Sequence, residues 1–231
     1  MTRSANTQWL LAAKNLAVSD LTKHLQALGM LAAASGWMVL GDDDGPLVLS
    51  SPCHRIGVGY ETASAETDQP QLVAVARSSK SVSGRWYLSL NGHIPVELIA
   101  VLMTTLQREL DRDGDALIYG VGDGQAPLVL QYDESVWTWQ EPEEADGFAF
   151  ALLSADGTVA VFGQPFADRP AEPDGPPEWL VVASASPESE LWSMRLGRGV
   201  PHHVATRLLN HLLDTTPVLR PGADPTTRER I

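Results

Sequence analysis

The side chains able to do covalent or metal chemistry are few and poorly arranged for it. Cys53 and His54 are adjacent. A thiolate nucleophile needs a base within hydrogen-bond reach and a third group that orients that base. Neighbours on an extended strand point to opposite sides, so the pair reads as turn residues with an ordinary thiol. The chain holds no second cysteine, which excludes an intrachain disulfide and a zinc cage built on several thiolates. His202 and His203 are consecutive on an expected helix and point about 100° apart, poor geometry for chelating one ion. His203 shares a face with Arg207 and His211, but the two histidines lie about two turns apart. Asp111, Asp113 and Asp115 alternate like calcium-loop ligands, yet Ala116 and Gly122 stand where that loop needs glycine and glutamate. The segment GVGDGQ, from Gly120 to Gln125, lacks the Lys-Ser/Thr of a phosphate loop. Glu141, Glu143 and Glu144 form an acidic cluster without an acid–base partner. The residues therefore predict no catalytic site, no cofactor and no metal; the protein reads as not an enzyme. A thiol or metal enzyme at Cys53, His54 or the His202 region is the least favoured reading.

Binding chemistry has more support. Arg77, Lys80, Arg85, Trp86 and Tyr87, with Trp192, Arg195 and Arg198 later in the chain, interleave cations with aromatics on expected strands. Single-stranded nucleic acid is bound on such platforms, where bases stack and phosphates are neutralised. The competing reading makes both tryptophans core residues, because each precedes a helix at the same place. Charge weighs against a polyanion. Residues 1–113 carry a net charge of −2 and residues 114–231 a net charge of −11, together the −13 of the whole chain. An acidic second half repels phosphate backbones and anionic lipid while leaving a basic protein partner acceptable.

The elements that would position these residues are legible from periodicity. Residues 6–35 read as helical, with Trp9, Leu10, Ala13 and Leu16 on one spacing and Leu21, Leu25, Leu28 and Ala32 on another, ending at Gly36. Strands are expected at 37–40, 46–50, 56–60, 71–77 and 85–90, then a helix from Pro95 to about Leu110. Trp86–Leu106 returns without a gap as Trp192–Leu212, 106 residues later, and Ser51, Ile56 and Val58 return as Ser154, Val159 and Val161 at an offset of 103. A repeat of this length implies duplicated units. Further strands are expected at 117–119, 127–132, 136–140, 179–186 and 191–196, and a last helix over 201–213. The proline-rich run 164–177 reads as an irregular surface loop.

The residues at these places resemble the SPDY-domain family, a bacterial domain of unknown function often present as two tandem copies. The Ser-Pro-Asp-Tyr place is held by Ser51-Pro52-Cys53-His54 and by Ser154-Ala155-Asp156-Gly157. The Thr-Pro-x-Glu helix start is held by Ile94-Pro95-Val96-Glu97 and Val200-Pro201-His202-His203. The resemblance covers residues 37–110 and 139–220. It implies fold and repeat number but no activity, because the family carries none.

Taken together, the sequence predicts an α+β protein. Two strand-rich repeats, each of about four antiparallel strands plus a C-terminal helix, are expected to pack as a pseudo-two-fold pair with an N-terminal helical segment. The expected division is 1–36 for that segment, 37–113 and 114–214 for the repeats, and 215–231 for a mostly mobile tail. No apolar run approaches the roughly 18 to 20 residues of a membrane span, and a cytoplasmic location is the default. The expected function is a non-catalytic binding module that engages a protein partner through a sheet face or the acidic second repeat. The alternative is a single-stranded nucleic-acid binder of Whirly/PUR-like architecture, working through Arg77, Lys80, Arg85, Tyr87, Arg195 and Arg198. Self-association is left open.

Overall fold

The computed structural model describes residues 9–12, 28–30, 32, 34–40, 47–61, 69–77, 84–119, 130–141, 148–163, 178–186, 189–197, 199–214, 216 and 218–221. Ten strands are joined edge to edge in one antiparallel sheet. They are β2 (Met38–Leu40), β3 (Leu47–Ser50), β4 (Ile56–Glu61), β5 (Gln71–Arg77), β6 (Gly84–Gly92), β7 (Trp137–Gln140), β8 (Phe150–Ser154), β9 (Val159–Gly163), β10 (Trp179–Ser186) and β11 (Ser189–Leu196). Their order across the sheet is β2-β3-β4-β5-β6-β11-β10-β9-β8-β7. Helix α1 (Val96–Tyr119) follows β6 and helix α2 (His202–Leu213) follows β11. Both helices start behind a proline whose fixed φ suits the first turn.

This corrects the expected α+β pair of four-strand units. The strands form a single, β-rich, ten-stranded sheet, and the helices are additions to it rather than the cap of each separate unit. The physical reason is the edge problem. Separate units would leave β6 and β11 with a row of unpaired amides and carbonyls, a template for wrong pairing. Instead the two strands pair antiparallel, Leu88 with Leu196, Ser89 with Arg195, Leu90 with Met194 and Gly92 with Trp192. Each half of the chain therefore supplies five strands to a shared sheet, and the order reads the same from either edge.

The core lies on one face. Ile56, Val58 and Tyr60 of β4, Leu72, Ala74 and Ala76 of β5, Trp86, Leu88 and Leu90 of β6, and Trp192, Met194 and Leu196 of β11 are buried there with Leu102, Leu106, Leu208 and Leu212 of the helices. Indole donors tie sheet to helices. Trp86 Nε1 donates to the Leu117 carbonyl at 2.8 Å, Trp37 Nε1 to Gln107 Oε1 at 2.6 Å and Trp137 Nε1 to the Leu213 carbonyl at 3.2 Å. A buried indole left without an acceptor would be costly, so these bonds fix where each helix lies.

Other local expectations are also revised. Trp9–Ala12, read as helical, is strand β1, and it pairs antiparallel with β12, Val218–Pro221, inside the segment expected to be mostly mobile. Both are four-residue stretches whose conformation is decided by a partner some 200 residues away, which no local pattern encodes. Of the expected N-terminal helix, the described residues from 28 to 35 are helical, Leu28 and Ala32 are buried, and Gly36 ends it at φ +67°. Leu117–Tyr119, read as a strand, belongs to α1, which breaks at Asp113 and resumes. Leu130–Tyr132 is irregular. The 164–177 loop and the GVGDGQ segment lie outside the described residues.

Candidate functional site: the open face of the sheet

Directly paired residues of neighbouring strands share a face, so the registers assign the described side chains to faces. Opposite the core face stand Val73 and Val75 of β5, Tyr87, Ser89 and Asn91 of β6, Ser193 and Arg195 of β11, Leu180 and Val182 of β10, and Ala160 and Phe162 of β9. An antiparallel sheet covered on one side ordinarily alternates apolar and polar residues. Here β5 reads LVAVA from Leu72 and β10 reads WLVVA from Trp179, apolar at both parities. The second-face valines, Leu180 and Phe162 are only partly buried. The lack of alternation in β5 and β10 is the signal of this face in the sequence.

At the centre of the face is a polar island. Ser89 and Arg195 occupy equivalent positions of the two 106-residue segments and pair with each other. Arg195 is exposed, and no ion pair or hydrogen bond joins its guanidinium to a described residue. Ser89 and Ser193 are 8% and 7% exposed. Tyr87 lies beside the island with its ring over Gly197, where a Cβ would come within 2.5 Å of the ring.

The residues weighed for a nucleic-acid platform, where described, divide between the two faces of the sheet. Trp86 and Trp192 are 2% and 0% exposed and sit on the core face, away from Arg195. Tyr87 and Arg195 do share the open face. Arg77 and Arg85 lie on β5 and β6, but their side chains, and Lys80 and Arg198 entirely, are outside the described residues.

No family model, curated protein or solved structure matches this chain. Cys53 is exposed on a turn, 3.4 Å from Ser51 Oγ, and His54 Nδ1 is 3.3 Å from Ser50 Oγ. No contact joins the thiol to the imidazole. His203 Nε2 is 3.3 Å from Glu109 Oε2, a buried carboxylate that Arg112 also meets at 2.7 Å, so this group ties α2 to α1. His202 Nε2 is 4.0 Å from Glu178. Among the described residues no three of His, Cys, Asp and Glu converge as a metal set, and no described helix is long and apolar enough to cross a membrane.

The stretches 51–54 and 154–157 are hairpin turns. Ser51 Oγ accepts the Ile56 amide at 3.0 Å and Ser154 Oγ accepts the Val159 amide at 2.9 Å. Asp156 accepts from the Ser154 hydroxyl at 2.6 Å and from the Thr158 hydroxyl and amide at 2.7 and 3.0 Å. Burial draws the Asp156 carboxyl upward, but these bonds outweigh it and hold the group below the ordinary carboxylate range. Burial on the core face pushes the Tyr60 phenol up.

Proposed function

We propose that this protein is a non-catalytic binding module whose open sheet face receives a protein partner. The observation that carries the reading is the apolar second face, with Val73, Val75, Leu180, Val182 and Phe162 partly exposed where a one-sided sheet would be polar. Its side chains come from both halves of the chain across the β6–β11 pairing, so the face is one surface. Resemblance to the SPDY-domain family is part of the proposal, supported by the serines that latch both hairpins at the motif places. A cytoplasmic location belongs to the same reading, with no described membrane-spanning helix in its way.

The test is site-specific photo-crosslinking in cells that express the chain. Photoreactive residues at Val75 and Val182 are expected to capture the same protein, and one at exposed Arg108 on α1 to capture none. Val182→Lys should abolish capture from Val75. Equal capture from Arg108, or capture unaffected by Val182→Lys, would refute the face as the binding surface. Among the described residues, single-stranded nucleic acid is favoured by the shared placement of Tyr87 and Arg195. Salt-sensitive binding of labelled oligonucleotides that is lost in Arg195→Ala would replace the protein reading with that one.

A further inference from the structure

We infer that the partner presents a single carboxylate flanked by apolar side chains, and that this carboxylate sits on Arg195 at the centre of the open face. The inference rests on the proposed function and names the chemistry of its partner.

Three observations lead to it. First, Arg195 stands in the middle of the sheet, on the strand pair joining the two halves, and no described side chain neutralises it. A guanidinium in a mostly apolar surround pays a desolvation cost when the face is covered. A partner that covers it with apolar groups alone leaves a charge unpaired, while a carboxylate can take two of its donors at once. Second, Ser89 and Ser193 lie beside it on the same face, 8% and 7% exposed as residues, and no hydrogen bond joins their hydroxyls to a described side chain. They are donors poised for the remaining lone pairs of an arriving carboxylate. Third, the island is bounded by Val73 and Val75 on one side and Leu180 and Val182 on the other, at matching registers of the two halves. These flanks ask for apolar groups on both sides of the acid.

Net charge narrows the class further. A chain of net charge −13 repels a run of acidic residues. Beyond about 8 Å at physiological salt that repulsion is screened, so one carboxylate next to Arg195 is tolerated where a polyacidic stretch is not. Ser89 stands directly opposite Arg195, so among the described residues of the face the pair offers one cationic anchor rather than two.

The probe is a fluorescent nine-residue peptide of alternating valine and threonine with a central glutamate, compared with the same peptide carrying glutamine or lysine there. Anisotropy titrations use the full chain, Arg195→Ala, Arg195→Lys and Val182→Lys. The glutamate peptide is expected to bind about tenfold more tightly than the glutamine peptide, as for a charge-assisted over a neutral contact. That margin should vanish in Arg195→Ala and be partly kept in Arg195→Lys. Equal binding of all three peptides, abolished by Val182→Lys, would overturn the acid anchor while leaving the binding face intact. Binding that neither Arg195→Ala nor Val182→Lys changes, or no binding at all, would overturn both. Unchanged circular dichroism and melting separate these outcomes from misfolding, and Arg195 is exposed, so its variants leave the core untouched.

Discussion

The turn between β3 and β4 and the turn between β8 and β9 do one mechanical job with different side chains. In each, a buried serine hydroxyl accepts the amide five residues on, and the serine carbonyl accepts the amide three residues on, at 2.8 Å in both. The first turn then places Cys53, His54 and Arg55 where the second places Asp156, Gly157 and Thr158. The second is knit internally by the Asp156 carboxylate. The first is tied outward, by Arg55 to Asp115 of α1 at 2.6 Å. The latch is thus a backbone requirement met by serine, and the motif's remaining positions are free to differ. The turn geometry thus does not depend on Cys53 or His54, since the same geometry forms without either.

The largest test of the likeness between the halves lies below these turns. Trp86 and Trp192 fill matching places on β6 and β11, and Trp192 packs opposite Gly92, whose φ of +86° and nearness to the Leu191 carbonyl leave no room for a Cβ. Trp86→Ala and Trp192→Ala are each expected to cost about 3–5 kcal/mol, by transfer loss plus an unfilled cavity. Urea unfolding measures both. A cost under about 1 kcal/mol at either position would show that the two halves are not held alike.

Next come the latches. Ser51→Ala and Ser154→Ala each leave a buried strand amide without its acceptor, an expected loss of about 1–3 kcal/mol. Ser154→Ala should lose more, because it also removes the hydroxyl that Asp156 accepts. Thermal melts that rank Ser51→Ala as the worse variant would break the comparison.

How far this could be read from the chain depends on where the deciding contacts are. Gln71–Arg77 and Trp179–Ser186 were legible to the residue because β-branched runs are self-contained signals. Proline marked both helix starts. The continuity of the sheet was not legible, because the Leu88–Leu196 register is a contact between halves and leaves no local trace. Leu117–Tyr119 misled for a related reason. Its composition suits a strand, but it is held helical where the Leu117 carbonyl receives the Trp86 indole. The candidate face was half legible. Arg195 and Tyr87 were marked by type, whereas Ser89 and Ser193 are ordinary until the register places them together.

Acid should distinguish the turns. A carboxyl with a depressed native pKa contributes stability that is fully present above its unfolded pKa and is lost as pH falls through the native value. Asp156 is such a group, and position 53 has no carboxylate to match it. Asp156→Asn is therefore expected to flatten the loss of stability between neutral pH and the acid end of the carboxylate range. Cys53→Asp should steepen it and add roughly 0.5–1 kcal/mol near neutrality by bonding Ser51. Denaturant midpoints across pH measure both, and identical profiles for Asp156→Asn and the parent would refute the assignment.

The smallest effect tests the backbone that both turns share. His54 has φ +57° and Gly157 has φ +70°, equivalent left-handed positions that close a turn into the next strand. A side chain there costs about 1 kcal/mol through its Cβ, whereas glycine adopts the angle freely but gives up more chain entropy on folding. The balance predicts that His54→Gly stabilises by about 0.5 kcal/mol and Gly157→His destabilises by a similar or larger amount. The open space around Gly157 removes steric clash as a confounding cause, since nothing lies within 4 Å of an added Cβ. If His54→Gly destabilised instead, the 3.3 Å contact of His54 with Ser50 would outweigh the strain, and the first turn would be held by its histidine rather than in spite of it.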